Sequence, residues 1–232
     1  MINVKLIYKL KVNKTNNKMN KEVERKIVKK LKKIDSLIKG AREFVKLVLS
    51  MEKELYEPNM TIVFVSGMVG FACQAASNKK NPVNSLLLKL IEDKIAISGE
   101  TVYNYLFQSK ESFYNLLSLQ FHNKLPNVKI PSFISFYFEV GINIGNKNYL
   151  IENKFNPEKI FDIELYSSTW IKFYDKLIKY CETPDEWPIL FTIVVYNFLE
   201  MTYFVGGKDS YSLFFDIALK NAIYVSKIPQ MK

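Results

Sequence analysis

Few of the 232 residues combine type and spacing in a way that points to chemistry. A serine hydrolase needs a nucleophile, a histidine base and an acid that orients it. The chain holds a single histidine, His122, and Val65-Ser66-Gly67-Met68 is not a G-x-S-x-G elbow. Cys73 could act as a nucleophile with His122. Its apolar setting reads first as that of a small core side chain, as does the setting of Cys181. Glu92-Asp93 and Asp185-Glu186 are isolated acidic doublets, and two cysteines with one histidine make no metal cluster. Gly67-x-x-Gly70 and Gly141-x-x-x-Gly145 fall short of any phosphate-cradling loop and read as backbone packing. Gln74 is the most informative polar residue. It sits inside an apolar run, where an unpartnered amide would cost about 1–3 kcal/mol. It therefore needs a partner, either another protein group or a small ligand. Cys73 and Gln74 are the candidate ligand-binding pair. No residue is assigned a catalytic or metal-binding role, and no cofactor is implied.

The elements that must position these residues are mostly helical. From Lys21 to Tyr56, Val23, Ile27, Leu31, Ile34, Ile38, Ala41, Val45 and Val48 form one apolar stripe. Gly40 is a possible break in that helix. Pro58–Asn78 runs for 21 residues without a charge. It reads as a helix buried on nearly all sides, paired with a second apolar stretch, Trp187–Phe204. Length alone would also let either span a membrane, but internal packing is the expectation. Ile95–Ser98 and Thr101–Phe107 flank Gly99-Glu100, which predicts a β-hairpin near residues 94–107. Ser112–His122 and Asp162–Tyr180 read as helices, and Asp209 or Ser210 starts a last one that runs to about Val225. Pro131–Ile144 is open between strand, from its strict apolar alternation, and buried helix. Asn3–Val12 could be a short strand.

Charge is uneven. The formal net charge is +10. Residues 1–57 carry 16 basic and 7 acidic side chains, and the remainder carries 17 and 16. Lys26, Lys29, Lys30 and Lys33 are the candidate contacts for a polyanion. Nucleic acid is disfavoured, because 31 of the 33 basic residues are lysine and specific recognition leans on arginine. No aromatic residue lies between Tyr8 and Phe44 to stack on bases. Lysine-rich usage of this kind also accompanies an A+T-rich genome. The first residues have no continuous apolar stretch of a secretory signal, and cysteine is scarce. The expectation is a cytoplasmic chain without integral membrane association.

Gly67-Met-Val-Gly70-Phe71-Ala72-Cys73-Gln74 resembles a motif of a family of uncharacterised bacterial proteins. The likeness extends to Gly99, Gly141, Trp170, Pro184-Asp-Glu-Trp187-Pro188 and Ala218…Ala222…Ser226-Lys227, across roughly residues 60–228. It implies a cytosolic, mostly helical protein with no assigned activity, and a helix over 131–144.

The resulting expectation is an α+β fold, predominantly α-helical. Residues 1–20 would form a flexible or strand-like segment and 21–232 a single domain. The functional reading is a non-catalytic binding or self-assembly module, a homo-oligomer joined through an apolar helix surface. The alternative is a small-ligand protein or enzyme that uses Cys73 and Gln74. A weaker alternative is nonspecific polyanion binding by the four lysines.

Overall fold

The computed structural model describes residues 21–51, 58–80, 89–91, 95–146, 149 and 163–228. The expected strand at Asn3–Val12, the segment 1–20 and the doublet Glu92-Asp93 lie outside them. The elements are α1 (Lys21–Ser50), α2 (Pro58–Lys80), β1 (Lys89–Ile91), β2 (Ile95–Ile97), α3 (Glu100–Tyr103), a π-helical segment (Asn104–Gln108), α4 (Phe113–Lys124), α5 (Phe133–Ile142), α6 (Ile163–Tyr180), a 3₁₀ turn (Pro184–Glu186) and α7 (Trp187–Val225). The fold is predominantly α-helical.

The chain divides into two compact units, 1–35 and 36–232, so the division falls inside α1. In the first unit, residues 21–35 are helical, with Val23, Val28 and Leu31 exposed. The apolar stripe is therefore not buried along its whole length. In the second unit the buried face of α1 is Leu37, Ala41, Phe44 and Val48, spaced 4, 3 and 4. That spacing is helical. Phe44 meets Phe173 and Phe191 edge-on, at centroid distances of 4.9 and 5.3 Å. Gly40 does not break the helix. Tyr180 and Leu190 come within 2.9 Å of where its Cβ would stand.

The largest interface of the second unit joins α2 to α7. Both helices are apolar on nearly every side; that suits α2, which is covered nearly all round, while α7 leaves Phe204 and Val205 exposed. Among the described residues two helices could cross a membrane by length and composition, Met60–Lys80 and Pro184–Val225; 89% of the apolar window of the first is buried and 44% of the second. α7 is two limbs joined at Gly207, whose φ of 70° and ψ of −155° are costly for any residue with a Cβ.

The hairpin expected at 94–107 is displaced. β2 pairs antiparallel with β1, Leu90 opposite Ala96, while Glu100–Gln108 is helical. Gly99 has φ −59° and ψ 156°, not the positive φ of a II′ turn, and it caps α3 with Glu100 in the first turn. Val102 and Leu106, four apart, are the buried pair, so the period is that of a helix. Residues 133–142 are helical as well. Ser132 Oγ accepts from the Ser135 amide, and Phe133, Tyr137, Val140 and Gly141 turn inward.

Candidate functional site

The motif on α2 is built for close packing. A Cβ on Gly67 would collide with the ring of Tyr166, and one on Gly70 with the Ala222 carbonyl and, at 2.8 Å, the Ser226 amide. Only glycine lets α2 approach the end of α7 so nearly. Phe71 stacks on Tyr166 at 6.5 Å and leans on Trp170 at 5.3 Å. From α7, Asn221 donates across to the Val63 carbonyl and to Ser66 Oγ of α2.

Gln74 has its partner within the protein. Its Nε2 donates to the carbonyls of Val225, Ser226 and Ile228, at 3.2, 2.7 and 2.7 Å. The last carbonyls of a helix have no intrahelical donor. Gln74 supplies one from α2, 151 to 154 residues away in sequence. Carbonyls only accept, so the amide nitrogen must face them. Cys73 is wholly buried. Burial pushes its thiol well above the ordinary range, away from the thiolate that nucleophilic chemistry needs. The adjacent pair is thus brought into one buried region, where Gln74 caps a helix and Cys73 fills space.

Lys227 entered the sequence reading only within the family likeness, with no role given to it. It is fully buried beside the Gln74 cap. Its Nζ donates to the Ala96 carbonyl of β2 at 2.6 Å and to the Tyr137 carbonyl of α5 at 3.0 Å. It also lies 3.5 Å from the centroid of the Tyr137 ring. Tyr137 in turn holds Ser98, whose amide donates to its hydroxyl at 2.8 Å. Burial lowers the Lys227 pKa to about 7. A signal was present, because Leu219, Ile223 and Lys227 recur at intervals of four and the first two are buried.

In Pro184-Asp-Glu-Trp187-Pro188 the two acids separate. Glu186 is buried and accepts from the Glu182 amide at 2.8 Å, closing the turn before α7. Asp185 points outward, accepting from the Tyr105 hydroxyl on the π-helical segment and from Lys80 at 3.5 Å. Burial, and next the hydrogen bond to Asp185, push Tyr105 above its ordinary range. His122 is exposed in the last turn of α4. Lys26, Lys29 and Lys30 are exposed and Lys33 is half-buried, all in the first unit.

No protein-family model, curated protein or solved structure matches the chain.

Proposed function

We propose that the chain is a non-catalytic, soluble module of the cytoplasm that works by binding, and that it self-associates through an apolar helix surface. The likeness to uncharacterised bacterial proteins belongs to the same reading. The carrying observation is on α5, where Ile134, Phe138 and Ile142 are 41%, 42% and 59% exposed. They recur every four residues and so form one stripe, opposite the inward-facing Phe133, Tyr137 and Val140. A row of three large apolar side chains on one helix face is the kind of surface that a partner covers. The Cys73 and Gln74 region supports the same reading, because packing and capping already occupy both side chains.

Sedimentation velocity on wild type and Phe138→Asp tests this. The expected result is a concentration-dependent dimer for wild type and a monomer of unchanged melting temperature for the variant. Monomeric wild type at 100 μM, a concentration at which about micromolar affinities saturate, would refute it. Rapid reaction of Cys73 with a thiol reagent in the native state would favour the small-ligand alternative.

A further inference from the structure

The end of α7 is held from two sides. Gln74 grips the carbonyls of Val225, Ser226 and Ile228 from α2. Lys227 reaches the other way, to β2 and α5. This second grip has no acid in it: among the described residues Lys227 contacts two carbonyls and one aromatic face. A neutral amine has two N–H donors, which the Ala96 and Tyr137 carbonyls use fully. An ammonium brings a third donor and a full charge into a site closed to water. The ring face and carbonyl dipoles offset only part of that cost, and a buried lysine without a counter-ion favours its neutral form. Among the described residues, Tyr137 on α5 presents its ring to Lys227, Tyr103 of α3 packs behind that ring at 5.1 Å, and Tyr224 on α7 stands three residues before Lys227. All three have pKa values raised by burial, so none supplies a compensating negative charge near neutrality. β2 offers only backbone.

We propose that Lys227 is a proton-operated latch: its neutral amine fastens the end of α7 to β2 and α5, and its protonation on mild acidification loosens that fastening. The consequence is local. The Gln74 cap carries no titratable group, so the α2–α7 core stays closed while the β2–α5 side opens. Burial holds the Lys227 pKa down at about 7, within the span of small physiological changes.

Two measurements on the full chain decide this. The ¹³Cε resonance of Lys227 should titrate near neutral pH, well below the ordinary lysine value of about 10.4. Hydrogen exchange, corrected for the intrinsic pH dependence of amides, should show protection at Ala96–Ser98 falling at least tenfold from pH 8.5 to pH 6, while protection at Ser226–Ile228, on the Gln74 side, holds. Protection in the buried middle of α2 should hold. Lys227→Met should abolish the pH dependence. The ¹³C titration needs only wild type, so it stands even if that variant fails to fold. A Lys227 resonance that titrates above pH 9.5, a wild-type protection independent of pH, or the same loss in Lys227→Met would each overturn the proposal.

Discussion

Gln74 shows how one amide can account for an apolar helix interrupted by a polar residue. Three carbonyls at and just past the end of α7 share its Nε2, in a region that little water reaches. Replacing it by leucine, of similar volume, removes the donor and keeps the packing. Stability should fall by about 1–3 kcal/mol, the cost of leaving buried acceptors unsatisfied. Gln74→Glu should cost more, because a carboxylate would face carbonyls that repel it. Urea denaturation with an unchanged slope measures both, and a Gln74→Leu variant as stable as wild type would remove the cap from the account. The need for a partner was legible in the sequence, because a lone amide in an apolar run demands one. Which partner it has was not legible, since the carbonyls lie about 150 residues away and backbone leaves no signature in residue type. Lys227 was hidden for a related reason. A lysine at a helix end normally reads as a solvated charge, and only the four-residue spacing from Leu219 and Ile223 tells against that here.

At the scale of elements, periodicity identified most helices correctly and failed where two periods overlap. Residues 134 to 144 alternate apolar and polar only nominally, since Phe133 and Tyr137 on the other parity are apolar too. A helix buries Phe133, Tyr137 and Val140 together, which a strand could not do without exposing one face of equal apolarity. Residues 101 to 107 misled in the same way. Val102 and the aromatic Tyr103 and Tyr105 suit a strand, yet Tyr103 and Phe107 pack as an i, i+4 aromatic pair at 5.6 Å. In α1 the stripe was read as uniform, although the buried face of the second unit begins only at Leu37. This makes two truncations behave differently. Removing residues 1–35 should leave the second unit folded with its melting temperature nearly unchanged. Removing 1–57 takes away Leu37, Ala41, Phe44 and Val48. Leu37, Phe44 and Val48 are each worth about 1.5–3 kcal/mol when fully buried, and the remainder should be insoluble or unfolded. Equal melting temperatures for the two truncations would show that α1 contributes nothing to that core.

For the whole molecule, buried titratable groups set how stability varies with pH. Asp216 has its pKa raised to about 6, first by burial and then by the charge of Glu139, against the opposing pull of Lys220. Lys220 itself is bonded to Glu139 at 2.7 Å, so its charge is partly spent. A carboxyl that keeps its proton more firmly when folded favours the folded state at low pH. That contribution is complete below the unfolded value of 3.8 and is lost as pH rises to about 6. Lys227 acts in the opposite direction. Its folded value near 7 lies below the unfolded 10.5, so stability rises as pH climbs between the two. Above pH 10 the buried tyrosines Tyr166 and Tyr211, held above their ordinary range by burial, reverse the trend again. Stability should therefore dip near pH 6–7 and peak on the alkaline side, at about pH 9–10. Asp216→Asn isolates the acid limb. At pH 3, below the unfolded value, both folded and unfolded wild type carry the proton, and the substitution should leave the melting temperature nearly unchanged. At pH 7.5 the neutral amide avoids the burial of a charge, and the melting temperature should rise by about 2–4 °C for each kcal/mol recovered. Calorimetry at the two pH values separates this from a general packing effect, which would shift both equally and would remove Asp216 from the explanation.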